Sequence, residues 1–216
     1  MAIKTVLEFA LLALTSIFFL VDPFAVIPLF LAVTAGAGRA ERNAIARKSA
    51  LTCAIVLTAF AIAGSLIFKM FGITLPAFKI AGGIILLQIG LEMLQGKQSA
   101  QKATAEEQQE GTEKSDASII PLGMPMLAGP GAITTVMVLV GQAQTHWQMV
   151  AILSAIAITA AICFLVLGNS HVVARVLGET GIRILVRVMG LLLVALAAQY
   201  FVNGLADLGV IARPVE

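Results

Sequence analysis

The sequence predicts an all-α, polytopic membrane protein: six transmembrane helices, arranged as two inverted three-helix repeats with Pro/Gly-broken spans 1 and 4. Three observations predict it: the composition, the length of the uncharged runs, and motifs that recur at a nearly fixed spacing. Of 216 residues, 59% are hydrophobic and 12% charged, with a mean hydropathy of +0.99. Soluble domains are about 45–50% apolar and about 25% charged. So little charge cannot coat a soluble surface. The net charge of +2 and the lack of a basic stripe interleaved with aromatics argue against nucleic acid as a partner.

Six apolar runs can be bracketed: Leu7–Ala35, Ala44–Phe68, Gly72–Leu94, Ile119–Val140, Trp147–Leu167 and Ile184–Leu205. Each has about the 20 residues that an apolar helix needs to cross the hydrocarbon. None alternates as a barrel strand would, and a spanning segment must satisfy its own backbone polar groups, which leaves helices. The run after Lys4 lacks a small-residue cleavage pattern and reads as a retained first span rather than a leader. Cys53 and Cys163 each sit inside an apolar run and read as buried free thiols. His146 and Trp147 read as an anchor at the outer interface.

Basic residues orient the chain. Arg39, Arg42, Arg47, Lys48, Lys97, Lys102, Lys114, Arg175, Arg183 and Arg187 lie around the connections after spans 1, 3 and 5. Only Lys4, Lys69 and Arg213 lie on the other side. The odd-numbered connections are therefore expected in the cytoplasm and both termini outside. Residues 98–117 carry five acidic residues, Glu106, Glu107, Glu110, Glu113 and Asp116, and no large apolar one. They read as an acidic cytoplasmic linker between a first repeat, 1–97, and a second, 118–216.

The halves resemble each other. Pro23 to Pro28 in span 1 and Pro125 to Pro130 in span 4 both read P-x4-P. Lys79-Ile80-Ala81-Gly82 in span 3 matches Arg187-Val188-Met189-Gly190 in span 6, 108 positions on. Gln95-Gly96 matches Asn203-Gly204 at the same offset. Three is an odd number of spans, so the second copy must be inverted, which is a common pattern in secondary transporters.

The broken spans carry the candidate site. Asp22-Pro23 lies mid-span, where Pro breaks a helix and Asp followed by Pro suits an N-cap and first position of a new one. A carboxylate at that depth should face a polar interior. Two readings of Asp22 stand: a cap alone, or a cap that also binds an ammonium or cation or carries a proton. Met124–Ala132 holds two further prolines and two glycines and cannot stay a regular helix. A helix restarting over Gly131–Thr135 would offer free N–H groups and a positive dipole end to a carboxylate. The candidate binding set is thus Asp22, Pro23, Pro28, Ala128, Gly129, Pro130, Gly131, Ala132, Thr134 and Thr135. The threonine hydroxyls could serve a ligand or their own helix backbone. Lys79 and Arg187 lie about one turn inside their spans, either snorkelling or acting on the path, with Lys79 able to pair with Asp22. Gly82-Gly83 and Gly90 suggest close helix packing.

No P-loop, His-Glu-x-x-His or nucleophile elbow is present, so no enzymatic role, no cofactor and no metal are expected. At Asp22-Pro23, Ile27-Pro28-Leu29-Phe30, Phe78-Lys79-Ile80-Ala81-Gly82-Gly83, Pro121-Leu122-Gly123-Met124-Pro125, Ala128-Gly129-Pro130-Gly131 and Arg187-Val188-Met189-Gly190-Leu191-Leu192 the sequence resembles the MarC family of bacterial inner-membrane proteins. That resemblance covers both halves. It implies a six-span protein of the inner membrane, related to LysE-type exporters, with small neutral amino acids as the expected solutes. The expected partners are the lipid bilayer, a small zwitterionic solute, protons or a coupling cation, and a second copy of the chain. A non-transporting membrane scaffold and a lipid flippase are the alternatives.

Overall fold

The structure, a computed structural model, describes residues 2–96 and 127–212. Within them the chain forms seven helices: α1 (Ala2–Val21), α2 (Pro23–Val33), α3 (Arg39–Phe71), α4 (Leu75–Leu94), α5 (Pro130–Gln142), α6 (His146–Gly168) and α7 (Ser170–Asp207). Helices α1 and α2 together make one span, Val6–Val33. Arg39–Gly64, Leu75–Leu94, His146–Gly168 and Thr180–Asp207 are also long and apolar enough to cross a membrane, and α5 is a shorter apolar helix. The beginning of the expected fourth span and the acidic linker lie outside the described residues.

Packing along α3 is that of a helix in oil. Ala46, Ala50, Cys53, Leu57 and Ala61 are buried at helical spacing, whereas Leu51, Ile55, Ile62 and Leu66 are more than half exposed. Small residues turn inward and large ones outward, because close backbone approach, not the hydrophobic effect, joins helices in lipid. Helix α3 starts five residues before the expected apolar run, at Arg39, because a polar first turn projects beyond the hydrocarbon. Helix α6 opens on a capping box, in which Thr145 accepts from the Gln148 N–H and the Gln148 side chain accepts in return.

Gly64, inside α3, is an exception to tight packing. A Cβ there would meet Met137 Cγ at 3.8 Å and Val140 Cγ1 at 3.9 Å, which is ordinary contact. Gly64→Ala is therefore expected to stabilise the protein by about 0.5–1 kcal/mol through helix propensity. A higher midpoint of thermal unfolding in detergent checks this, and a lower one contradicts it.

Helices α4 and α7 form the most extensive pair. A Cβ on Gly90 would lie 2.9 Å from the Gly190 carbonyl, one on Gly83 3.0 Å from the Ala197 carbonyl, and one on Gly204 3.0 Å from the Pro76 carbonyl. Residue numbers rise along α4 as they fall along α7, so the third spans of the two halves run antiparallel. The other contacts pair up in the same way. The first span packs on α6 as α5 packs on α3, and α5 packs on α4 as α1 and α2 pack on α7. These contacts are what two inverted copies produce.

The helix starts correct the repeat's register. The restart after the break is at Pro23 in α2 and at Pro130 in α5, 107 positions on, and the next helices start at Arg39 and His146, again 107 apart. This lies one residue from the spacing of 108 between spans 3 and 6. The P-x4-P match slides the halves by five residues. Pro28 does not break its helix: it sits inside α2 and is exposed. Ile27, a β-branched apolar residue that is fully buried, has no polar side chain to end a helix with.

Helix α7 is bent where the sequence suggested no break. Gly178 takes φ 64 and ψ 172, outside the helical region, and separates a short segment, 170–177, from the span proper. Val172 and Val176, one turn apart, are 59% and 78% exposed, so that segment presents an apolar stripe outward. Gly72, also with positive φ, ends α3 at the corresponding place in the first half.

Candidate functional site

The break in span 1 is built by one residue. Asp22 takes φ 43 and ψ 72, the only non-glycine with positive φ among the described residues. It stops α1 and caps α2, its Oδ1 accepting from the Ala25 N–H at 3.3 Å. Aspartate tolerates this left-handed conformation better than most residues because its short polar side chain bonds locally. Only 2% of Asp22 is exposed. The carboxylate thus sits against the positive end of a half-helix at the middle of a 28-residue span.

The break in span 4 has a different chemistry. Gly129 is the N-cap of α5, in an extended conformation, with no side chain capping the first turn, and Pro130 follows at the first position. The first turn of any helix lacks internal acceptors for its N–H groups. Here Gly131 and Ala132 occupy that turn, both buried. The two breaks are neighbours: a Cβ on Gly131 would lie 3.2 Å from Leu20 Cδ1, two residues before Asp22, and against Leu86 and Ile89 of α4. The start of α5 therefore packs against the end of α1, just before the break; the half-helix that follows the break is compensated by a carboxylate, and α5 carries no side-chain cap.

Each candidate residue has a definite place. Pro23 and Pro130 sit at first helical positions. Leu127, Ala128 and Ala132 are at most 1% exposed. Thr134 is buried with its methyl pressed on Gly82, where any Cβ would collide with it. Thr135 is fully buried and accepts from the Tyr200 hydroxyl at 3.5 Å. Pro28 is not at the break but lines a cavity of about 440 Å³ with Ile27 and Leu31 of α2 and Ala174, Ile182 and Arg183 of α7. That cavity is at the arginine-rich end of the molecule, a turn or more from Asp22.

Lys79 is not a partner of Asp22. Its Nζ donates to Asp207 Oδ2 at 2.7 Å, tying the start of α4 to the end of α7. The antiparallel seam brings those two ends together at one membrane face. Counting spans would have found Asp207, since both residues sit just inside the same side. The side chains are 8% and 21% exposed. Lys79→Met is expected to lower stability by about 1–3 kcal/mol, the range for hydrogen bonds to charged groups. The double variant Lys79→Met with Asp207→Leu should recover part of the loss. A double variant whose loss equals the sum of the losses of Lys79→Met and Asp207→Leu alone would show that the pair contributes nothing. Arg187 is exposed, its Nη2 3.7 Å from where a Cβ on Gly96 would stand, at the opposite end from Lys79. Sequence reasoning missed Tyr200, Asp207, Gly178 and the cavity-lining residues other than Pro28.

No solved structure matches the chain. The chain is 41% identical over 199 residues to a UPF0056 membrane protein of Methanocaldococcus jannaschii, covering 92% of this chain and 97% of that protein. It is 37% identical over 191 residues to the UPF0056 membrane protein YvbG of Bacillus subtilis, covering 88% and 90%. With YhcE of Escherichia coli, also named a UPF0056 membrane protein, identity is 34% over 189 residues, 88% of each. The model of the MarC family integral membrane proteins matches residues 7–208, a stretch that takes in both breaks and the whole glycine seam. The chain belongs to the MarC family, as a multi-pass integral membrane protein.

Proposed function

We propose that this protein is a secondary transporter of small neutral zwitterionic solutes, with amino acids such as glycine and alanine as the substrate class. The observation that carries the reading is that the uncapped start of α5, at Gly129–Ala132, packs against the end of α1 just before Asp22, whose buried carboxylate caps the other half-helix. A zwitterion answers both needs. Its carboxylate takes the first-turn N–H groups of α5, and its ammonium, or a coupling cation or proton, faces Asp22. Inverted repeats around such a site are the usual framework for alternating access. The bacterial inner membrane, with the arginine-rich end in the cytoplasm, is the setting this reading implies.

Purified protein in liposomes tests it, with labelled glycine, alanine, serine and threonine, each with and without a pH gradient. Saturable flux of at least one of them is expected. No flux of any, from protein that is monodisperse and folded, overturns the proposal.

A further inference from the structure

The repeat register has a use beyond the fold. It maps each residue of the cavity at the arginine-rich end onto a residue at the other end. Ile27, Pro28 and Leu31, which line that cavity from α2, correspond to Thr134, Thr135 and Val138 of α5, because Pro23 and Pro130 start the two helices. Of the residues that line it from either side of Gly178, Ala174 corresponds to Phe68, each four residues before its glycine, and Ile182 and Arg183 correspond to Thr74 and Leu75 by the spacing of 108 between the third spans, the first half being two residues shorter between.

The two ends differ in packing. At the arginine-rich end a cavity remains between α2 and the part of α7 around its bend, although the two helices pack on each other, and the three atoms nearest a Cβ on Gly190 all belong to α4. At the Lys79–Asp207 end α5 is pressed against its neighbours. Thr134 fills the space over Gly82, the counterpart of Gly190. Thr135 is held by Tyr200, and Val138 is 1% exposed. Leu75 covers Gly141, where a Cβ would lie 2.6 Å from its Cδ1, and Phe68 and Phe78 meet edge to face with centroids 5.0 Å apart.

We infer that the chain has a second vestibule, closed in this structure, lined by Thr134, Thr135, Val138, Phe68, Thr74 and Leu75 and opening at the Lys79–Asp207 end when the cavity at the arginine-rich end closes. The inference rests on the transport reading. Two inverted copies can exchange conformations, and each then takes the packing the other had. The two vestibules are chemically unequal. The open one presents Ile27 and Pro28 where the closed one presents the hydroxyls of Thr134 and Thr135. On the wall made by α2 or α5 a zwitterion therefore finds hydroxyls on one approach and apolar side chains on the other, while Arg183 gives the open vestibule a cation where the closed one has Leu75.

The test uses the full chain with Cys53→Ala and Cys163→Ala. Leu75→Cys and Gly141→Cys are joined by a short, reducible bis-thiol linker, a pair that also removes the Leu75 methyls a side chain at 141 would meet. Solute flux in liposomes is expected to fall about tenfold or more on bridging and to return on reduction, because a shut vestibule stops the cycle. A bridged protein that carries solute at the unbridged rate overturns the inference and leaves the transport reading intact. If the unbridged protein carries no solute, the transport reading fails by itself, and labelling decides the inference. Val138→Cys should then react with an impermeant thiol reagent from the side opposite to the one that reaches Ile182→Cys, and bridging should suppress that reaction. Reaction from the same side as Ile182→Cys, or none, overturns it.

Discussion

Replacing Gly90 and Gly190 together by leucine is expected to abolish folded protein. A Cβ on Gly90 would stand 2.9 Å from the Gly190 carbonyl, 2.9 Å from Val194 Cγ2 and 3.0 Å from the Val194 nitrogen. One on Gly190 would stand 2.8 Å from Met93 Cβ and 3.1 Å from the Leu94 nitrogen. These neighbours are mostly backbone, which cannot rotate aside. Overpacking a well-packed interior costs about 1–3 kcal/mol per site even where side chains can shift. Here α4 and α7 would have to separate, and with them the two halves. Single alanine substitutions should lower the unfolding midpoint, and the double leucine variant should elute as aggregate on size exclusion. Monodisperse double variant with unchanged thermal stability would show that the seam is looser than these distances say.

Asp22 carries the second large expectation. Asp22→Ala removes the acceptor for the Ala25 N–H, a cap worth about 1 kcal/mol, and places a residue without a local hydrogen bond at φ 43. It should lower both stability and flux. Asp22→Asn separates the two effects. Asparagine accepts the left-handed conformation and can cap, so the fold should hold. The charge is gone, and with it the charge-assisted bond to a substrate ammonium. Bonds of that kind contribute about 1.5–3 kcal/mol, which corresponds to a loss in flux of about 10- to 100-fold. Flux and pH-driven accumulation equal to the parent's would reduce Asp22 to a helix cap.

Much of this was legible in the residues. Long uncharged runs placed the spans, Asp22-Pro23 marked the first restart, and the second, expected from Gly131, begins one residue earlier at Pro130. In each, a proline at the first helical position follows a residue able to leave the helix. The glycines of span 3 announced a close seam. The register of the repeat was not legible from prolines alone. Pro28 follows Ile27, which cannot end a helix with a side-chain bond, so its ring is absorbed within α2 at the loss of one donor. The Lys79 partner was hidden by distance along the chain, since Asp207 is brought up only by the antiparallel seam. The bend at Gly178 has a weaker signal still, one glycine before Glu179-Thr180, and whether such a glycine bends depends on what packs around it. The cavity is the space that α2 and the bent part of α7 leave between them, a property of assembled helices that no local pattern encodes.

The antiparallel seam constrains how the chain is made. A half with three spans that mates with an upside-down copy of itself must be threaded into the bilayer in both senses. Insertion machinery distinguishes them by basic residues beside the spans. At the mirror positions the basic residues have been sorted: Arg39, Arg42, Arg47 and Lys48 of one half stand where the other has His146, Met149, Ser154 and Ala155. Moving that cluster of four to its mirror addresses would ask both halves to enter the wrong way round, and the chain would be inverted before it had begun to fold.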